Sequence, residues 1–126
     1  MPLKFYLTRK ATFEAAHTLE RTVSSEAEAE ASRRVHGHSY EVEIGVSGGS
    51  IKNGMLLDGE VLSKELDRVR EKFDHQFLNS VPGLHSPTIE AISLFIWEMV
   101  APRLSNLDSV SVRRRTVGDS CTLSIR

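Results

Sequence analysis

Apolar positions between residues 3 and 17 keep one parity. Leu3, Phe5, Leu7, Ala11, Phe13, Ala15 and His17 all fall on it, which is the period of a strand. The alternation is cleaner between residues 36 and 48. There His36, His38, Tyr40, Val42, Ile44 and Val46 share one face, and Gly37, Ser39, Glu41, Glu43 and Ser47 the other. That pattern predicts a half-buried antiparallel strand. Residues 20–34 between them carry no apolar stripe, so this stretch is either a mobile loop or a short solvated helix. Gly48, Gly49 and the Asn53–Gly54 pair mark turns. The period then lengthens. Val61, Leu62, Leu66, Val69 and Phe73 predict an amphipathic helix with Asp58 as its N-cap. A turn-rich connection over 79–87 leads to a second helix that starts near Thr88, striped by Ile92, Phe95, Ile96, Met99 and Val100. Two short strands are predicted last, over 110–116 and 120–125.

The order is two strands, two helices, two strands. Strands in runs imply an α+β layer, here an antiparallel four-stranded sheet with both helices on one face. Its two edges need cover, so association of copies through the edges is expected. A length of 126 residues fits one domain over 1–126. Lys plus Arg number 16 against 17 for Asp plus Glu, with no basic stripe, which gives no case for a nucleic-acid partner. Cys121 is the single cysteine, so no internal disulfide forms and a reducing compartment is expected. Residues 1–10 hold no apolar signal core, and the most apolar stretch, 89–104, includes Glu90, Glu98 and Arg103, too short and polar to span a bilayer. A cytoplasmic protein without a membrane partner is the expectation.

Candidate chemistry lies in the histidines. His36 and His38 leave the same strand face, and His17 ends the preceding strand with the parity of Phe13 and Ala15. Three imidazoles converging from two strands make a zinc site with its fourth position open to water or substrate. The spacing alone leaves open that they are ordinary polar strand residues. His85 lies in a turn with no motif around it, and Cys121 reads as a small apolar residue.

Five short segments occur in order: Phe13-Glu14-Ala15-Ala16-His17, His36-Gly37-His38-Ser39-Tyr40, Gly54-Met55-Leu56-Leu57-Asp58, Phe73-Asp74-His75-Gln76-Phe77-Leu78-Asn79 and Pro87-Thr88-Ile89-Glu90. Together they resemble the 6-pyruvoyltetrahydropterin synthase family, which includes the 6-carboxytetrahydropterin synthase of queuosine biosynthesis. The resemblance implies the tunnelling fold, a ββααββ unit whose trimers close into a barrel and commonly stack as hexamers. It implies zinc on His17, His36 and His38, Asp74 and His75 as an acid/base pair, active sites at subunit interfaces, and a pterin-like small-molecule substrate derived from GTP. Arg114 and Thr88 are the candidate substrate-binding residues.

The chain departs from the family pattern at three points. Four residues before the first histidine of His-Gly-His, where the synthases carry cysteine, stands Ser32, whose hydroxyl needs a separate base. Glu30 is the nearest carboxylate that could share the task, since an offset of two puts both on one side of an extended segment. A solvated charge run is the plainer reading of Glu26, Glu28 and Glu30. Arg113, Arg114 and Arg115 stand where the family has a pterin-gripping glutamate, and arginine has no acceptor to offer. They form either an anion site, with Arg114 alone on its face, or a solvated edge. Gly59 replaces an aromatic residue. The leading expectation is a zinc-dependent lyase acting on a dihydropterin side chain. The alternatives are the same site with a non-pterin anionic substrate, and a zinc-binding oligomer with no chemistry.

Overall fold

The computed structural model describes residues 3–19 and 25–125, apart from the side chain of Ser32. The long strand β1 (Phe5–His17) is followed by helix α1 (Glu26–Arg33), strand β2 (His36–Gly48) and helix α2 (Gly59–Phe73). A single 3-10 turn (Leu78–Ser80), helix α3 (Ile89–Val100) and the strands β3 (Leu107–Arg114) and β4 (Asp119–Ser124) complete the order. The sheet is antiparallel throughout, in the order β1-β2-β3-β4. The expected α+β layer is therefore present, with one helix more than the two read from apolar stripes.

That extra helix resolves the choice left open for residues 20–34; residues 20–24 lie outside the described ones. Ser25 caps α1 by accepting from the Glu28 N–H, Glu26 and Glu28 sit in the first turn and Arg33 in the last, which matches the helix dipole. Only Ala29 of α1 is buried, so no apolar stripe was there to be read. The caps of the other helices fall where expected: Asp58 accepts from Glu60 N–H, and Thr88 from Ala91 N–H. Asn53 and Gly54 both adopt positive φ between Lys52 and Met55, which bond each other in both directions, a two-residue reverse turn.

One face of the sheet meets α2 and α3. Phe13, Tyr40, Val42, Ile44, Val46, Val110 and Val112 pack there against Leu62, Leu66, Val69, Phe73, Ile92, Ile96 and Val100. Phe13 stacks between Tyr40 and Phe73, with ring centroids 4.9 and 5.5 Å apart. The opposite face is polar: Arg113 bridges Glu41 and Glu43, Ser39 donates to Glu14, and Ser111 bonds Thr122. β3 runs from Leu107 to Arg114, three residues earlier than its apolar alternation suggested at one end and two shorter at the other. Gly118, at φ 87°, donates to the Arg114 carbonyl, and this tight turn takes Arg115 and Thr116 out of the strand.

β1 and β4 are the edges. Along its last residues β1 gains a short parallel neighbour: His75 N–H donates to Glu14 O, Ala16 N–H to Gln76 O, and Ala16 pairs with Phe77. Nothing comparable lies along Phe5–Arg9 among the described residues.

Candidate functional site

His17 faces His36 across the β1–β2 ladder, and His38 lies two residues further along the same face of β2. The Nε2 atom of His17 is 3.0 Å from that of His36 and 3.1 Å from that of His38. Each ring offers one nitrogen to a common point, all within 4.8 Å of one another. His17 is fully buried and the other two are half-buried.

The second nitrogens decide what the cluster can do. His17 Nδ1 lies 3.0 Å from the Pro87 carbonyl, and His36 Nδ1 lies 2.8 Å from the Arg34 carbonyl. A carbonyl only accepts, so each Nδ1 carries the hydrogen and each neutral ring turns a lone pair inward from Nε2. Two lone pairs 3.0 Å apart repel unless a cation lies between them. Burial lowers the pKa of His17, and burial followed by the charges of His17 and Arg114 takes His38 down to about 4. Both are neutral at neutral pH and ready to ligate. Imidazoles at about 2.0–2.1 Å from a tetrahedral divalent ion have nitrogens roughly 3.3 Å apart, close to the observed spacing. The residues fit a metal ion.

Several motif residues prove to be supports of this cluster. Pro87 supplies the carbonyl that orients His17. Thr88 caps α3, so its hydroxyl oxygen has a structural partner at the position read as substrate-binding. Asn79 clasps Thr18, the residue after His17, by accepting from its N–H at 2.8 Å and donating to its carbonyl at 3.1 Å. Tyr40 sits behind His17 with its hydroxyl 3.4 Å from Nδ1, and burial pushes its pKa up to about 12. Sequence reasoning placed Asn79 and Pro87 in motifs but gave them no task, because a backbone carbonyl or an amide clasp has no spacing signature.

Asp74 and His75 follow α2. Asp74 caps that helix. Its Oδ1 accepts from Glu14 N–H at 2.9 Å and its Oδ2 from Arg70 at 3.2 Å. The Glu14 N–H, with smaller help from His75 and Arg70, holds its carboxyl below the usual range. The His75 side chain is 80% exposed, its Nε2 lies 3.8 Å from Asp74 Oδ1, and its backbone has φ 60°. The ion-pair distance is too long for a hydrogen bond.

The loop residues are arranged differently from the extended segment assumed above. Glu30 and Ser32 both lie on α1, so the extended backbone on which the offset of two was read is helical instead. Glu30 is exposed. The three arginines also separate: Arg113 bonds Glu41 and Glu43 on the open sheet face, Arg115 lies 4.0 Å from Glu41, and Arg114 faces the helices opposite Tyr40. His85 is exposed, as its turn position suggested, and Cys121 is half-buried against the core.

The chain matches the family described as 6-pyruvoyl tetrahydropterin synthase over residues 6–125. It is 34% identical over 122 residues to a 6-carboxy-5,6,7,8-tetrahydropterin synthase of Synechocystis sp., covering 91% of this chain and 86% of that protein. It is 32% identical over 102 residues to the dihydroneopterin monophosphate aldolase of Pyrococcus furiosus, covering 81% and 80%. The solved 6-pyruvoyl tetrahydropterin synthase of Caenorhabditis elegans superposes with a TM-score of 0.80 over 98% of this chain and 97% of that one, at 23% identity, which supports the fold.

Proposed function

The chain belongs to the 6-pyruvoyl tetrahydropterin synthase family, and we propose that it is a zinc-dependent lyase acting on the side chain of a dihydropterin derived from GTP. A lyase-type activity in pterin chemistry is common to its curated relatives. The observation that carries the finer reading is the convergence of three Nε2 atoms from His17, His36 and His38, with the lone pairs of His17 and His36 turned inward by backbone carbonyls.

The triad would hold zinc through Nε2, with one position open to substrate. Bound there, zinc supplies Lewis acidity to side-chain oxygens. The remaining work belongs to the chain. His75 moves protons, and Asp74, kept ionised by Glu14 N–H, stabilises the imidazolium that results. The His75 side chain is 80% exposed, and we take it to serve the triad of a second copy in a homo-oligomer, a hexamer first and a trimer second. Similarity to an aldolase favours carbon–carbon cleavage. In that reaction a base takes a side-chain hydroxyl proton, the carbon–carbon bond breaks to release an aldehyde, and the carbon left on the ring takes up a proton. In place of the family cysteine, Ser32 and the exposed carboxylate of Glu30, both on α1, are the residues proposed to share this task. The same site with a non-pterin anionic substrate is the second reading, favoured by Arg114.

Zinc-loaded protein incubated with dihydroneopterin, its monophosphate and its triphosphate, followed by mass spectrometry, tests this. We expect a pterin with a shortened or rearranged side chain, close to one zinc per chain, and loss of both in His36→Ala. Absence of turnover on all three compounds by zinc-loaded wild type would overturn the pterin-lyase reading.

A further inference from the structure

Arg70 stands in the last turn of α2, four residues before the C-cap Asp74, and its carbonyl accepts from Asp74 N–H at 2.7 Å. A cation there suits the helix dipole, and an i,i+4 ion pair on a helix surface contributes little by itself. Its side chain is 46% exposed, as such a pair predicts. A surface pair does not account for its second bond. Nε donates to the Thr12 carbonyl of β1 at 2.8 Å, while Nη2 donates to Asp74 Oδ2 at 3.2 Å.

Thr12 precedes Glu14 by two on the edge of β1 that faces away from β2, so Arg70 joins the row of backbone groups that holds Asp74 and His75. Along that row Thr12 O takes Arg70, Glu14 N–H takes the Asp74 carboxylate at 2.9 Å, and Glu14 O takes His75 N–H at 2.6 Å. Three residues of one segment are thus pinned to one strand, and that strand ends at His17. Both oxygens of Asp74 are held, Oδ2 by Arg70 and Oδ1 by Glu14 N–H. A carboxylate oxygen keeps a further lone pair, and it is Oδ1 that lies 3.8 Å from His75 Nε2. The other charges of these elements turn elsewhere: Glu14 accepts from Ser39, and Lys72 lies over the Phe95 ring, 6.0 Å from its centre.

We infer that Arg70 is a positioning residue for the Asp74–His75 pair. It holds Oδ2 so that Oδ1 is left to meet the imidazole, and its charge offsets that of Asp74, so that a protonated His75 can still release its proton. This rests on the reading of His75 as the residue that moves protons. An unshared carboxylate beside a histidine favours the charged ring, which suits holding a proton better than passing it on. Arginine serves both tasks because its planar group donates in two fixed directions. A lysine ammonium on a flexible stem keeps the charge but cannot hold both acceptors in that geometry.

The test compares wild type, Arg70→Lys and Arg70→Gln, all zinc-loaded, on dihydroneopterin, its monophosphate and its triphosphate. The His75 imidazole is followed by NMR in the same proteins, its signal assigned by its loss in His75→Asn. In both variants kcat should fall about 10- to 100-fold with KM and zinc content held, because the pair is misplaced. The acid limb of the kcat profile and the imidazole titration should move to higher pH in Arg70→Gln, where a positive charge is lost. Both should stay at the wild-type position in Arg70→Lys, where it is kept. An arginine that serves only the fold would lower stability or zinc content and leave the titration in place, and that outcome overturns the inference. Unchanged kcat and titration in both variants overturn it too, and leave the lyase reading standing. No turnover by wild type, together with a titration that moves in Arg70→Gln, overturns the lyase reading and leaves the hold of Arg70 on the pair. Should Arg70→Gln fail to fold, Arg70→Lys decides alone: a kcat equal to wild type overturns the two-point hold.

Discussion

The two halves of β1 share one alternation and one sheet edge, yet they end in opposite situations. From Ala11 to His17 the inward side chains meet α2 and the core, the edge is paired by residues 75–77, and Asn79 clasps the residue beyond. From Phe5 to Arg9 the edge has no backbone partner among the described residues, and Phe5, Tyr6 and Leu7 are exposed, Phe5 by 49%. That half forms one wall of an apolar cleft of about 400 Å³ with Ile51, Met55 and Leu56. Strand propensity does not explain the difference, since Phe5, Tyr6 and Thr8 of the open half are better strand formers than Ala11, Ala15 and Ala16 of the closed one. What differs is whether a neighbour within the chain reaches the strand. The closed half holds the candidate metal ligand His17 in place, and the open half leaves an apolar surface, which is the one we propose a second copy covers.

The largest effects should separate the halves outright. His17→Ala removes the buried ligand, and metal affinity should fall by more than the about 10- to 100-fold that loss of a supporting partner costs. Leu7→Asp should leave metal content at the wild-type level while reducing the oligomer to monomer in light scattering. If Leu7→Asp also empties the metal site, the halves are coupled and the contrast fails. A monomeric wild type at micromolar concentration would sink the assignment of the open half to a second copy.

Next in size is the Asn79 clasp. Asn79→Ala deletes two hydrogen bonds to Thr18 beside the ligand, worth about 1–3 kcal/mol together. Denaturant unfolding should show that loss, accompanied by weaker metal binding. Stability lost with metal affinity intact would mean the clasp serves the fold and not the site.

Most of this contrast could not be read along the chain. The parity of Phe13, Ala15 and His17 was visible because burial on one face imposes it, and the convergence of His36 and His38 followed from a period of two. Asp58 and Thr88 announced their helices because capping is local. The closing of one half of β1 was hidden, since it comes from residues about 60 positions away through backbone bonds such as His75 N–H to Glu14 O. The helix α1 was half-hidden for the reverse reason. It buries only Ala29, so its caps and dipole charges carry it and no stripe records it. Arg114 was separable from Arg113 and Arg115 by parity, but its hydrogen bond to Asp119 on β4 depends on where the hairpin turns.

A smaller effect concerns acid. The Asp74 carboxylate ties the end of α2 to Glu14 of the closed half, and its pKa in the folded chain lies below the unfolded value. A depressed carboxyl contributes stability that is complete above the unfolded pKa near 3.9 and lost as pH falls through the folded one. Wild type should therefore lose stability below about pH 4 more steeply than Asp74→Asn, and amide exchange should open first around Glu14 and Ala16 rather than around Leu7. Parallel acid curves for the two proteins would show that the tie does not depend on charge.

The smallest predicted change has an unusual sign. His75 sits at φ 60°, where a side chain with a Cβ costs roughly 1–2 kcal/mol, although histidine tolerates the region better than most residues. Its backbone N–H is held by Glu14 at 2.6 Å, so the conformation is imposed by the pairing that closes this half of β1. The imidazole itself is exposed and its distance to Asp74 exceeds a hydrogen bond, so it returns little to the fold. Glycine adopts the same φ freely but gives up about 0.5–1 kcal/mol in unfolded-chain entropy. His75→Gly should therefore be neutral to more stable by up to about 1.5 kcal/mol, while losing turnover on any pterin the wild type converts. His75→Asn, which also tolerates positive φ, should match wild-type stability and share the loss of activity. Strain retained at an exposed histidine is then explained by chemistry. If His75→Gly is clearly less stable than wild type, the side chain has a structural partner, and its place in the acid/base pair loses this support.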